Sequence, residues 1–205
     1  MQGFIVNLNK VKEEDLIVSI LSKNNLDTLY RFYGARHGTI NLGFKIDYEK
    51  EESAKSSIAR LKDVIHLSYS WIGDYRLLQL WQEFTKLFYI HLKESDFSDS
   101  FYFELLENAS KLWNKQNPKR VGIESYVKLL EHEGRLHTES NCFLCSKKIE
   151  TDISLIRAYL PTHQHCSKTM PINKKALNEL YKTKSSMFLS DKEVQRLWNI
   201  LLEGL

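Results

Sequence analysis

The chain is poor in cysteine: only three of its 205 residues are cysteines. An odd number leaves at least one thiol unpaired, which argues against a disulfide framework. Few cysteines outside such a framework are typical of a reducing compartment, so we expect a cytoplasmic protein.

Long apolar runs are also lacking, and so is a strong excess of one charge. No stretch is long and apolar enough to span a membrane. The first residues show no charged segment followed by an apolar one, so we expect no signal peptide. The formal net charge is +3, which permits binding to nucleic acid but does not demand it.

Common catalytic motifs are absent too, and we predict that the protein is not an enzyme. The sequence has no Walker loop, no G-x-G-x-x-G and no G-x-S-x-G. His137 and Glu139 resemble the H-x-E half of a zinc deaminase, but only two residues separate Glu139 from Cys142, too few to build the second helix of such a site. His132 and His137 are five residues apart, which does not fit the H-E-x-x-H of a zincin.

All three cysteines belong to one metal-type pattern, C-x2-C-x17-H-x2-C. It consists of two pairs of ligand residues, each with the spacing of a zinc knuckle, and four such donors close a tetrahedral shell around zinc. Such a shell leaves no position for a reactive water, so the predicted Zn²⁺ is structural. His163 repeats the knuckle spacing and is the favoured third ligand, with His165 as the alternative. The predicted ligands are Cys142, Cys145, His163 and Cys166.

The first part of the chain is predicted to form strands. In residues 40–48, apolar and polar residues alternate with a period of two, which indicates a strand with one buried face. Five short strands predict a small barrel, and the pattern alone does not separate an OB-fold from an SH3-like barrel. The five predicted strands cover residues 3–8, 15–21, 26–33, 40–48 and 58–71.

From Asp74 onward the apolar period becomes helical. We predict a helix from about residue 74, a second over 99–115, and a third that begins at Pro118 and ends at Gly134. A strand over 153–160 lies between the knuckles, and the last helix begins with a capping box at Ser190. The fold class is therefore α+β. It comprises a five-stranded barrel domain, 1–72, and a helical domain, 73–205, with a zinc-binding segment, 140–170.

One run in the barrel, residues 30–38, interleaves aromatic and basic side chains. Rings that stack on bases and cations that neutralise phosphates are typical of single-strand binding. In a strand, Tyr30 and Phe32 share one face while Arg31 and Tyr33 share the other, so one pair is expected in the core. The alternative is a hairpin with ordinary surface arginines. The predicted nucleic-acid-binding residues are Arg31, Tyr33, Arg36, His37, Lys45, Lys119 and Arg120.

The order of these pieces resembles that of the RecO family, the bacterial recombination mediators. Residues 3–6 and 14–18 are similar to the opening strands of the family. Residues 33–36, Y-G-A-R, are similar to its K-G-A-R element, and 42–44 to the strand that follows. The two knuckle pairs lie where many members carry two C-x2-C pairs. The chain departs from this pattern at Tyr33, which replaces a lysine, and at His163, which replaces a cysteine.

The resemblance implies an N-terminal OB-fold, a helical middle and a zinc finger. It also implies a cytoplasmic, nucleoid-associated protein that binds single- and double-stranded DNA and anneals complementary strands. Such a protein acts with RecR and often RecF, contacts the acidic tail of single-strand-binding protein, and helps to load RecA in DNA repair. The competing hypothesis is a zinc-stabilised scaffold that binds a protein and not DNA. Salt separates the two, because DNA affinity falls steeply as salt rises.

Overall fold

A computed structural model describes residues 1–52, 56–97 and 99–205. The chain forms two compact units, Met1–Asn114 and Lys115–Leu205. The sequence predicts a domain boundary between residues 72 and 73, where strands give way to helices. The first compact unit extends further, to Asn114, and includes the first two helices together with the barrel.

The first unit is built on a closed five-stranded barrel with the strand order β1-β2-β3-β5-β4. β1 pairs with β4 in antiparallel fashion and closes the barrel, while β3 and β5 are parallel. This Greek-key order is that of the OB-fold and decides against the SH3-like alternative. The strands are β1 Gln2–Lys10, β2 Leu16–Ser22, β3 Leu26–Arg31, β4 Lys45–Glu51 and β5 Arg60–His66.

The apolar alternation predicted over residues 40–48 is only partly a strand. Ile40, Phe44, Ile46 and Tyr48 are all buried in the barrel core, as the pattern indicated. β4, however, begins at Lys45, and the preceding residues turn through Gly43, whose φ is +82°. Ile40 and Phe44 therefore reach the barrel core from a loop, and Ile46 and Tyr48 reach it from β4.

Two helices, α1 Tyr75–Leu92 and α2 Phe101–Leu112, pack against β1 in the same unit. Asp74 caps α1, because its side chain accepts hydrogen bonds from the backbone of Arg76 and Leu77. β1 is buried on both faces, since Ile5 lies in the barrel core while the ring of Phe4 meets Phe103 at 5.3 Å between centroids.

Trp81 of α1 lies at the centre of this packing and has no exposed surface. Its indole Nε1 donates to the carbonyl of Gly43 at 2.7 Å, and its ring lies 4.9 Å from that of Trp113. A Cβ at Gly43 would come within 2.7 Å of the indole, so only glycine fits there. The core residues therefore include Trp81, Phe84 and Phe88 of α1 and Phe103 of α2.

The second unit carries three longer helices around the cysteine segment. Pro118 opens its first helix, and Gly134, with φ +67°, follows that helix as predicted. The predicted capping box of Ser190 and Glu193 is present. The elements are α3 Pro118–His132, β6 Ser154–Ile156, β7 Leu160–Thr162, α4 Gln164–Ser167, α5 Lys174–Thr183 and α6 Asp191–Leu202.

The single strand predicted over 153–160 is wrong. The chain reverses there, and β6 pairs with β7 in a small antiparallel sheet. Ala158 and Tyr159 have φ values of 60° and 53°, which no continuous strand allows. Tyr159 is buried at the reversal and donates its hydroxyl to the carbonyl of Leu197 at 3.0 Å.

Across residues 1–52, 56–97 and 99–205, none of the helices has the length and apolarity needed to cross a membrane.

Candidate metal centre and nucleic-acid surface

The four predicted metal ligands converge in the second unit. One ligand atom from each of Cys142, Cys145, His163 and Cys166 lies within 4.8 Å of the others. The first pair sits on a tight turn in which the backbone N–H of Ser146 donates to the carbonyl of Cys142 at 2.8 Å. This turn brings the two thiols close together.

His163, and not His165, belongs to this group. Its Nδ1 lies 3.4 Å from the sulfur of Cys145 and 3.8 Å from that of Cys166. Its Nε2 lies 3.1 Å from the carbonyl of Lys148 and donates to it, which leaves Nδ1 free to bind a metal. His165 stacks on His163, with the ring centroids 4.9 Å apart.

The thiols show why a cation suits this cluster. Burial alone would raise the pKa of Cys142, but backbone N–H groups, that of His163 first, outweigh it and lower the pKa to about 6. Burial, and then hydrogen bonds with Cys145 and Cys142, raise the pKa of Cys166 to about 11. A thiolate at Cys142 therefore disfavours a second thiolate at Cys166 by repulsion, and a divalent cation beside both sulfurs would offset that repulsion. Three sulfurs and one imidazole are a donor set that zinc prefers.

The second candidate site lies in the first unit, where β3 ends. Tyr33 is in the left-handed region with φ 52°, and its backbone N–H donates to Asp15 at 2.8 Å. The other carboxylate oxygen of Asp15 accepts from the hydroxyl of Tyr30 at 2.5 Å. The β1–β2 loop therefore holds the end of β3 in a fixed turn.

Beside this turn lie two exposed rings, each accompanied by a guanidinium group. Phe32 is 47% exposed and Tyr33 is 58% exposed. The guanidinium of Arg36 lies 5.4 Å from the centroid of the Tyr33 ring, and that of Arg60 lies 5.3 Å from the centroid of Phe32. We call these four residues the aromatic–arginine patch.

The sequence predicts half of this patch. The aromatic–basic run indicates Tyr33 and Arg36, whereas it does not assign Phe32 or Arg60 to the surface. The rings of Tyr30 and Phe32 do lie together, 4.8 Å apart between centroids, as a period of two indicates. Phe32 follows the last residue of β3, however, and its side chain stays 47% exposed. Arg60 arrives from β5, whose parallel pairing places it beside Tyr30.

Three other residues of this unit that were predicted to contact nucleic acid lie outside the patch. His37 is exposed just after the turn. Arg31 is half-buried and donates from Nη1 to the carbonyl of Leu61 at 2.9 Å. The side chain of Lys45 is only 14% exposed, and its ammonium lies 2.6 Å from the carboxylate of Glu107. Arg31 and Lys45 thus have structural partners of their own.

Lys119 and Arg120 belong to the second unit. Lys119 donates to the side chain of Gln195. Arg120 has a side chain 22% exposed, donates to the carbonyl of Leu189 at 2.9 Å and pairs with Asp191 at 2.9 Å. Arg120 thus ties the segment before α6 to the start of α3, and a role in DNA contact stays a prediction for both residues.

The carboxylate of Asp15 makes the β3 turn sensitive to acid. Its hydrogen bond from Tyr30 and then that from the Tyr33 backbone lower the pKa of Asp15 below its usual 3.8. Such a group stabilises the fold above its unfolded pKa, and the stabilisation is lost as pH falls through the lower folded pKa. We therefore expect Asp15→Asn to lower the melting temperature at pH 7 and to differ much less from the parent protein near pH 2.

Thermal melts at the two pH values measure this difference. Glu13→Gln, which changes an exposed carboxylate of the same loop, is the control and should leave both melting temperatures unchanged. An Asp15→Asn deficit of equal size at both pH values would contradict the assignment.

The comparison with known families bears on the barrel. Residues 1–72 match the family model described as RecO N terminal. No curated protein matches the chain. The match supports the RecO assignment made from the motifs for residues 1–72, which carry a RecO N-terminal domain, and such a domain supports a general role in DNA repair and recombination.

Proposed function

We propose that this RecO-family chain is a non-enzymatic recombination mediator that binds single- and double-stranded DNA, anneals complementary strands and helps to load RecA. The observation that carries the proposal is the aromatic–arginine patch on an OB-fold. RecR, RecF and the acidic tail of single-strand-binding protein are proposed partners on the strength of the family alone. An action on DNA implies a cytoplasmic protein that works at the nucleoid.

The position of the patch supports DNA binding. OB-folds bind oligonucleotides on the face of β2 and β3 and with the loops that join β1 to β2 and β4 to β5. The patch follows β3 directly, and Asp15 of the β1–β2 loop fixes its turn. Arg60, the first residue of β5, comes straight after the β4–β5 loop. The four patch residues therefore lie beside the face and loops with which OB-folds bind oligonucleotides.

The patch residues can exchange their present partners for DNA at small cost. Arg36 pairs with Glu14 at 2.5 Å and Arg60 with Glu51 at 3.7 Å, and both arginines are exposed. Exposed ion pairs contribute only about 0–1 kcal/mol each. A phosphate can therefore replace either carboxylate, and release of DNA counterions favours the exchange.

The exposed rings supply the second kind of contact. A cation over an exposed ring is worth about 0.5–1 kcal/mol. Stacking of a base on an aromatic ring is worth about 1–3 kcal/mol. A base can therefore take the place of a guanidinium on Phe32 or Tyr33, and the arginine is then free to meet phosphate. Both events hold single-stranded DNA without reading its sequence.

The metal centre is proposed to be a structural Zn²⁺ site. Cys142, Cys145, His163 and Cys166 would hold the ion, and four protein donors fill a tetrahedral shell. A filled shell leaves no position for a substrate or a reactive water. Annealing makes and breaks no covalent bond, so it requires only that two strands are held close while their charge is screened.

Charge reversal in the patch tests DNA binding. We expect the double variant Arg36→Glu/Arg60→Glu to bind single-stranded DNA about 10- to 100-fold more weakly. We also expect the slope of log affinity against log salt to become shallower by about 0.7 for each phosphate that the variant no longer neutralises. Fluorescence anisotropy with labelled oligonucleotides over a salt series measures both quantities.

The matched control is Arg76→Glu/Lys86→Glu, which makes a double reversal at exposed positions of α1. It should retain most of the affinity. Equal reductions in affinity for both doubles would mean that net charge alone governs binding. Parent protein whose DNA affinity is absent or insensitive to salt would favour the scaffold hypothesis instead.

A further inference from the structure

The tip of the first zinc knuckle exposes two large apolar side chains. Phe143 is 60% exposed and Leu144 is 53% exposed, although the neighbouring Cys142 is buried. The two residues occupy the turn between two metal ligands. The turn therefore presents a ring to solvent at a fixed place.

The backbone holds Phe143 firmly. Its N–H donates to the carbonyl of Pro161 at 2.8 Å, across to β7. The N–H of Cys142 donates to the carbonyl of Lys147 at 2.8 Å, and the metal ligands on either side close the turn. A ligand that packs on this ring therefore has to order only the side chain of Phe143 and not its backbone.

A groove of about 420 Å³ runs beside this ring. Cys142, Phe143 and Pro161 line part of it, and hydrogen-bonding groups supply the rest. Leu144, the other exposed residue of the tip, does not line it. The polar lining residues are His137, Glu139, Asn141 and Ser146.

We propose that this groove takes one unpaired base of single-stranded DNA, stacked on Phe143 and hydrogen-bonded along its edge by the polar lining residues. The inference rests on the proposed function and adds to it a second contact point, in the second unit. A base combines a flat face with donors and acceptors at its rim, and this matches a ring beside amide, hydroxyl and imidazole groups.

The carboxylate of Glu139 argues for a base and against other occupants. A phosphate or an acidic peptide in the groove would meet a like charge, whereas a base can donate an N–H to a carboxylate, from the amino group of cytosine or the imide N–H of thymine. The exposed Lys147 and Lys148 follow the turn and would meet the phosphates on either side of the bound base. The nucleotide thus finds an acceptor beside its base and cations along its backbone.

The test compares two truncations at the tip in the full-length protein. We expect Phe143→Ala to weaken binding to a labelled oligothymidylate about tenfold and Phe143→Trp to restore it. Leu144→Ala, equally exposed but outside the groove, should bind as the parent does. An abasic oligonucleotide of the same length, which has phosphates but no bases, should bind the parent and Phe143→Ala equally.

Metal content by mass spectrometry shows whether each variant retains the knuckle. Equal binding of oligothymidylate by the parent and a metal-replete Phe143→Ala would overturn this inference and leave the proposed function standing. A reduction in affinity that is just as large with the abasic oligonucleotide would overturn stacking. No binding of oligothymidylate by the parent at low salt would overturn the proposed function itself.

Discussion

His163→Ala is expected to abolish metal binding and to unfold much of the second unit, whereas His165→Ala should leave both unchanged. The Nδ1 of His163 faces the sulfurs of Cys145 and Cys166, while His165 only stacks on the ring of His163. Structural zinc contributes about 10–16 kcal/mol in small zinc-binding peptides. Whole domains are stable by only about 5–15 kcal/mol, so removal of the ion is comparable to the full stability.

Metal content by mass spectrometry and thermal melting measure the two effects. The pair of histidine variants is matched in chemistry and differs only in its relation to the cluster. Chelation of the parent protein should lower the melting temperature in the same way. Protein that is still folded should keep its DNA contact at the aromatic–arginine patch, which lies in the first unit. Retention of one equivalent of zinc by His163→Ala, with its loss from His165→Ala, would reverse the ligand assignment.

Trp81→Ala is expected to destabilise the first unit by about 3–5 kcal/mol, the usual cost of emptying a large aromatic site in a core. Trp81 has no exposed surface and contacts rings from β1 and from the residue that follows α2. Its truncation also removes the N–H that donates to the carbonyl of Gly43. Trp81→Phe keeps much of the apolar volume and loses mainly that hydrogen bond, so a smaller destabilisation is expected.

Urea denaturation, followed by circular dichroism, gives the free energy of unfolding. Tyr75→Ala is the control, because Tyr75 also lies on α1 and is 75% exposed. It should cost less than about 0.5 kcal/mol, as is usual for surface substitutions. A similar cost for Tyr75→Ala and Trp81→Ala would contradict the placement of the core.

The features that the sequence predicts well are those set by short spacings. The knuckle pairs, the first helical position of Pro118 and the capping box at Ser190 are each read from residues within one or two turns of the chain. The apolar stripe of α1 likewise predicts which aromatic rings enter the core. In each case local geometry and chemistry determine the outcome.

The features that the sequence does not predict depend on distant pairing. Arg60 reaches Tyr30 only because β5 crosses to lie parallel to β3, and no spacing along the chain encodes that register. The knuckle spacing favours His163 over His165 but leaves the alternative open, and only the packing shows that the imidazole of His163 meets the carbonyl of Lys148. The reversal at Ala158 rests on a left-handed backbone that the surrounding residue types do not indicate.

The burial of β1 on both faces has a consequence for truncation. A fragment cut after residue 72 would keep all five strands but lose α1 and α2, and with them the rings of Trp81 and Phe103 that cover Phe4. The outer wall of its barrel would then be an apolar strip prone to aggregation. A fragment that ends at Asn114 keeps that wall covered, and is the better choice for studying the barrel by itself.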